Sequence, residues 1–174
     1  MWRLSSVCGR VRISPGFCLL TAWFALDNGW RLLAIVLGAA AVHELGHCLA
    51  LRLLGAPVTG LEIGVFGAEL TAERGRLSYP GELAAVLAGP GANLLCAAAL
   101  TLLGGGRWAV PTGANLVLGA FNLLPLRPLD GGRAAYLLVS WLFGPAAGEG
   151  AARCAGAAAG LSLAAALGWV MART

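Results

Sequence analysis

Two histidines and a glutamate lie together in the middle of a long apolar stretch. They form the sequence His43-Glu44-Leu45-Gly46-His47 within the apolar residues 32–54. If this stretch is helical, His43 and His47 are one turn apart on the same face, so both imidazoles can reach one metal ion. Glu44 then points about 100° away around the helix. A carboxylate beside the ion can take a proton from a water molecule.

The setting of this motif favours a functional role over a structural one. An ionisable side chain at bilayer depth is costly, and here three occur together. The chain has only two histidines, and both are in the motif. The spacing is the His-Glu-x-x-His pattern of zinc-dependent peptidases. The alternative is a pair of hydrogen-bonded core histidines, but the neighbouring Ala, Val, Leu and Gly residues offer no side-chain partner.

The composition is typical of a membrane protein. Of the 174 residues, 59% are hydrophobic and 11% are charged, and the mean hydropathy is +0.79. The net charge of +4 comes entirely from arginines in short connections between apolar runs. Arginines in such positions indicate membrane topology and not a nucleic-acid surface. Five scattered cysteines without a Cys-x-x-Cys pair are interpreted as small apolar residues.

The apolar runs predict an all-α integral membrane protein with about five to six transmembrane helices, in one domain over residues 1–174. The motif helix, residues 30–54, is roughly 37 Å long, which is enough to cross a hydrocarbon core of about 30 Å. The remaining apolar runs are residues 17–26, 83–103, 108–124, 134–143 and 151–171. For residues 17–26, an uncleaved first span or half-span is preferred to a signal peptide. Because 134–143 is too short to cross alone, the last two runs could instead form a re-entrant pair.

Residues 56–80 depart from this helical pattern. They contain Pro57, Gly60, Gly64 and Gly67, which are unfavourable inside a helix. Apolar and polar residues alternate in part, which predicts a short β-hairpin or an extended loop. The alternative is an ordinary polar loop between two spans.

Asp130 is the best candidate for a third metal ligand. Pro125 and Pro128 interrupt the helix before it, and the glycines at 131–132 allow a sharp exit. Irregular backbone beside apolar spans is tolerated only where protein buries it or where it lines a wet cavity. A catalytic zinc commonly has three protein ligands and one open position. The alternative role for Asp130 is an N-cap for the helix that follows.

Asn93 is a buried amide in the predicted span 83–103, shortly after Gly89-Pro90. It can form an interhelical hydrogen bond, or it can hold a substrate carbonyl or the developing oxyanion near the metal. The sequence leaves both roles open. Asn122, at the end of the span 108–124, is a second candidate for the same substrate-positioning role.

The arginine distribution predicts a cytoplasmic N-terminus, because positive charge accumulates on the cytoplasmic side. With this orientation Arg31, Arg107 and Arg153 lie outside. The other nine lie inside: Arg3, Arg10, Arg12, Arg52, Arg74, Arg76, Arg127, Arg133 and Arg173. The same orientation brings the His47 end of one span and the Asp130 end of another to the cytoplasmic side.

Three motifs, in this order, resemble those of the site-2 intramembrane zinc metalloproteases. They are the motif 43–47, Gly89-Pro90 followed by Asn93, and Asn122-Leu123-Leu124-Pro125 leading into Leu129-Asp130-Gly131. The block 128–133 looks most like the branch that contains the bacterial sporulation protease processing pro-sigma-K. The resemblance covers about residues 15–145.

This resemblance implies a helical membrane core at about residues 30–133, one zinc ion held by His43, His47 and Asp130, and Glu44 as general base. It also implies a membrane-associated β-hairpin within 56–80 and a bacterial cell-membrane location. The implied partners are the bilayer, a regulatory membrane protein and a membrane-associated or transmembrane protein substrate, such as a pro-sigma or anti-sigma factor. The chain shows no PDZ-type insert and no C-terminal CBS domain, which leaves nucleotide regulation and the substrate open.

Two other classes of protein use similar residues. A small metal transporter needs polar groups at more than one depth, often in repeated half-sites, whereas this sequence has one polar cluster and no repeat. A zinc-binding membrane scaffold without catalysis would not need Glu44.

Overall fold

The computed structural model describes residues 10–65, 67–72, 77–171 and 173. Arg3, Cys8, Arg74 and Arg76 therefore lie outside the described residues. Within these ranges the chain forms six α-helices and three strands, with a short 3₁₀ turn at Gly105–Trp108. In chain order they are β1 Arg10–Ile13, α1 Pro15–Asn28, α2 Trp30–Leu53, β2 Val58–Gly64, β3 Gly67–Ala72, α3 Tyr79–Gly104, α4 Ala109–Asn122, α5 Asp130–Phe143 and α6 Pro145–Met171.

Among the described residues, α2 and α3 are long and apolar enough to cross a membrane. With 24 and 26 residues, they extend roughly 36 and 39 Å. Their outer faces expose large apolar side chains, among them Leu45, Leu49 and Leu95 at 65%, 60% and 74%. A surface of this kind suits lipid better than water. Helices α1, α4 and α5 have 14 residues each, so five to six spans stays a prediction.

Helices α2 and α3 pack closely because small residues lie between them. A Cβ atom at Gly46 would lie 2.5 Å from the Ala88 carbonyl oxygen and 2.8 Å from the Ala92 Cβ. Such contacts let two helix backbones approach each other in a membrane. Helix α4 packs against both of them, so these three helices form the frame around the motif.

The three strands form one small sheet in the order β1-β2-β3. Strands β2 and β3 are antiparallel, with Leu61 opposite Leu70, which confirms the predicted β-hairpin. Strand β1 pairs in parallel with β2, with Val11 opposite Leu61, and this strand was not predicted. The mostly helical fold with a β-hairpin is therefore confirmed, and the sheet has one strand more than predicted. A strand of four residues carries too short a pattern to be recognised without its partner.

Helices α5 and α6 are joined by Gly144 alone, whose φ of 90° makes the reversal possible. A salt bridge of 3.1 Å links Arg127, just before α5, to Glu149 in α6. This contact holds the start of α6 beside the segment that leads into α5. The crossing of α6, the alternative of a re-entrant pair and the distribution of nine arginines inside and three outside all stay predictions.

Candidate metal centre

The side chains of His43, His47 and Asp130 converge on one point. The Asp130 Oδ2 atom lies 3.0 Å from His43 Nε2 and 3.2 Å from His47 Nε2. The two Nε2 atoms are 3.1 Å apart. The histidines are 6% and 9% exposed, and Asp130 is half-buried. The structure thus brings the three predicted ligands together, although Asp130 follows His47 by 83 positions.

The segment before α5 brings Asp130 to the histidines. Gly131 and Gly132 are buried against the backbone of this segment. A Cβ atom at Gly131 would lie 2.5 Å from the Leu124 carbonyl oxygen, and one at Gly132 would lie 2.5 Å from the Leu126 carbonyl carbon. The N-cap of α5 is Leu129. The alternative N-cap role of Asp130 is therefore wrong, because Asp130 is already the first helical residue.

Helix α3 holds the outer nitrogen of each imidazole. The His47 Nδ1 atom lies 2.8 Å from the Ala85 carbonyl oxygen, and the His43 Nδ1 atom lies 2.8 Å from the Asn93 Oδ1. A carbonyl oxygen only accepts a hydrogen bond, so each Nδ1 donates. In a neutral ring the proton is then on Nδ1, and the Nε2 lone pair faces the shared point.

This donor set fits a zinc ion. Two nitrogen lone pairs and one carboxylate oxygen at these separations repel each other unless a cation lies between them. Tetrahedral zinc with bonds of about 2.0–2.2 Å places neighbouring ligand atoms about 3.3 Å apart. Three nitrogen or oxygen ligands with one open position are typical of catalytic zinc. The group can therefore hold one metal ion.

Protons take the place of the cation when no metal is bound. Burial alone would raise the pKa of Asp130, which lies outside the two membrane-spanning helices. Hydrogen bonds from His43 and His47, and the charge on their rings, outweigh burial and lower the pKa of Asp130 to about 2. The carboxylate is therefore ionised at neutral pH and available to a cation.

Glu44 lies beside the three converging groups. It is half-buried and within electrostatic range of His47, His43 and Asp130. Glu44 follows His43 on α2 and is not one of the three converging groups. A general base needs that position in order to reach a water molecule at the metal.

The amide of Asn93 is fully used within the protein. This residue is 0% exposed, and its Nδ2 donates to the Ala39 carbonyl and to Asn115 Oδ1, each at 2.9 Å. No N–H remains for a substrate oxyanion, so the geometry favours the interhelical role. Asn122 donates to the Leu118 carbonyl of its own helix at 3.0 Å.

Sequence reasoning missed three groups around the histidines. Two are the Ala85 carbonyl and Asn115, described above. The third is Gly89, which the sequence identified only as part of a family motif. A Cβ atom at Gly89 would lie 2.5 Å from His47 Cε1 and 2.7 Å from His47 Cδ2. The absence of a side chain at this position makes room for the imidazole.

A cavity of about 860 Å³ lies between the start of α3 and the segment that leads into α5. Leu129 and Arg133, close to Asp130 in sequence, are among its lining residues. An ion pair between Arg133 and Glu82 joins α5 to the first turn of α3 in the same wall. Polar side chains therefore line the cavity at this end of α3 and α5.

The sequence matches no protein-family model. It is 34% identical over 154 residues to a Mycobacterium tuberculosis protein named zinc metalloprotease Rip3, covering 79% of this chain and 38% of that protein. It is also 34% identical over 116 residues to the Synechocystis protein named zinc metalloprotease sll0528, covering 61% and 31%. The chain thus spans about a third of the length of these relatives.

A solved structure has the same arrangement of elements. The site-2 protease from Methanocaldococcus jannaschii matches with a TM-score of 0.62, over 77% of this chain and 68% of that chain, at 23% identity. The fold is that of a site-2 protease. The mostly helical fold with a small sheet that the sequence predicted is therefore confirmed, and the two relatives similar in sequence are named zinc metalloproteases.

Proposed function

We propose that this chain is an intramembrane zinc metalloprotease of the site-2 protease family, with one domain over residues 1–174 and a catalytic core at about 30–133. The observation that carries the proposal is the convergence of His43, His47 and Asp130 through their lone pairs, with Glu44 beside them. His43, Glu44 and His47 lie on α2, which is long and apolar enough to cross a membrane.

One zinc ion per chain would supply an electrophilic centre that acidifies water to a pKa of about 7 and polarises a peptide carbonyl. Glu44 accepts the proton of the attacking water and delivers it to the leaving amine. His43 and His47 keep their Nε2 atoms directed at the centre because α3 holds both Nδ1 atoms. The reaction class is hydrolysis of a peptide bond.

The substrate in this proposal is a transmembrane or membrane-associated protein. A helical substrate hides its carbonyls in its own hydrogen bonds, so it has to unwind locally and can then add to the edge of a sheet. Because β2 is the central strand, the accepting edge is β3, Gly67–Ala72, which is longer than β1.

The branch assignment and the location belong to the same proposal. The block 128–133 supports the branch of the pro-sigma-K sporulation protease, and thus a pro-sigma or anti-sigma factor as substrate. The arginine distribution in the sequence, nine inside and three outside, supports a bacterial membrane protein with its N-terminus and its metal centre toward the cytoplasm. A regulatory membrane partner would control access to the centre.

Zinc content tests the metal site, and cleavage tests the reaction. We expect about one zinc in the purified wild type, retained in Glu44→Gln and weakened in Asp130→Ala. Glu44→Gln should abolish cleavage of a transmembrane substrate. If the protein were instead a transporter, it would move zinc across the membrane of vesicles that contain it. A scaffold would keep its function in Glu44→Gln. Wild-type protein that binds no zinc after metal-replete purification would refute the protease.

A further inference from the structure

We infer that Asn115 is a positioning residue for the metal ligand His43 and acts through Asn93. The inference rests on the proposed metal centre and adds a residue of α4 to it. A hydrogen-bond chain runs from α4 through α3 to α2. Asn115 Oδ1 accepts from Asn93 Nδ2 at 2.9 Å, and Asn93 Oδ1 faces His43 Nδ1 at 2.8 Å.

Backbone carbonyls determine the donor and the acceptor of every hydrogen bond between Asn115, Asn93 and His43. Asn115 faces the Pro111 carbonyl oxygen at 3.0 Å, and this atom of the amide has to be Nδ2 because a carbonyl only accepts. The other atom, Oδ1, therefore faces Asn93. In the same way the Ala39 carbonyl requires Nδ2 of Asn93. The oxygen of Asn93 consequently faces His43 and requires a proton on its Nδ1.

Asn115 supplies the second of two acceptors for the Asn93 amino group. Both asparagines are buried, at 0% and 4% exposure. Without Asn115, one N–H of Asn93 would lack a partner, and a buried unpaired donor costs about 1–3 kcal/mol. The amide would be free to rotate about the remaining Ala39 contact. His43 would then lose a fixed ring orientation, which lowers metal affinity.

The decisive variant is Asn115→Leu, which keeps the branched shape of the side chain and removes the acceptor. We expect its zinc affinity to fall about tenfold, as for loss of other groups that orient a ligand. The spectrum of bound Co²⁺ should change because the ligand geometry changes. Asn115→Asp should restore both, since a buried, protonated Asp can donate to Pro111 and accept from Asn93. The matched control is Thr101→Val, because Thr101 donates only to the Ala97 carbonyl of its own helix.

Melting temperatures of the metal-free proteins separate positioning from folding. A purely structural Asn115 would lower the melting temperature of Asn115→Leu and leave zinc affinity and the Co²⁺ spectrum unchanged, which would overturn the inference. If Asn115→Leu does not fold, Asn115→Ala is measured in its place with the same expected results. A wild type without zinc would instead refute the proposed function, so the two failures are distinguishable.

Discussion

Gly89 offers a sharp test of the metal centre, because one methyl group there collides with a ligand. In Gly89→Ala the new Cβ would lie 2.5 Å from His47 Cε1, whereas carbon atoms make contact at about 3.5 Å or more. The ring therefore has to move by about 1 Å. That shift would stretch the 2.8 Å bond from His47 Nδ1 to the Ala85 carbonyl beyond hydrogen-bonding range.

A displacement of this size removes His47 from the ligand set. Metal–ligand distances tolerate only about ±0.2 Å, so the centre would keep two good ligands. We expect zinc affinity to fall by about 100-fold or more, at the upper end of the range for disturbed ligand orientation. This corresponds to about 2.8 kcal/mol. Competition with a zinc-binding dye in detergent measures the affinity directly.

Gly91→Ala is the matched control, because it adds the same methyl group to the same helix two residues further on. A Cβ at Gly91 meets no described atom within 4 Å. Zinc affinity should stay at the wild-type level, and the melting temperature should rise slightly because alanine favours helix over glycine by about 1 kcal/mol. Wild-type zinc affinity in a folded Gly89→Ala protein would refute the assignment of His47.

Three further predictions follow from the same contacts. A chelator should lower the melting temperature of the wild type but not that of Asp130→Ala. The free energy of unfolding lost is up to about 2.7 kcal/mol if free zinc was at a hundred times its Kd. Equal shifts in both proteins would contradict the ligand role. Glu82→Gln should destabilise the protein by less than about 1 kcal/mol, because Arg133 is 43% exposed, and exchange of the two charges should restore the melting temperature if the pair matters. Proline substitutions across Ala68–Thr71 should reduce substrate cleavage without changing zinc content, and full activity at every position would exclude strand addition at β3.

The residues of the centre were predictable because each one is an exception to its surroundings. His43, Glu44 and His47 are ionisable groups in an apolar run, and Asp130 follows two helix-breaking prolines. The hydrogen-bond partners that orient the two histidines depend on the relative positions of whole helices. The pairing of His47 with the Ala85 carbonyl leaves no trace in sequence, since every residue has a carbonyl.

Asn115 was within reach of the same reasoning that singled out Asn93, because it is also an amide inside an apolar span. The topology of the last two helices was not. Counting arginines assigns sides on the assumption that each long apolar run crosses the membrane, and it carries no information about which helices pack together. The contact between the start of α6 and the segment before α5 becomes visible only in the structure, through Arg127 and Glu149.

The histidines belong to α2, but the groups that orient them belong to α3. A slide of one helix along the other by a single turn, about 5.4 Å, would break both hydrogen bonds at once. During synthesis α2 enters the membrane before α3 and α5 exist, and it then carries two histidines without fixed tautomers and without Asp130. If these groups hold zinc as proposed, the complete ligand set exists only after α2, α3 and α5 have packed together, so metal loading belongs to the last stage of assembly.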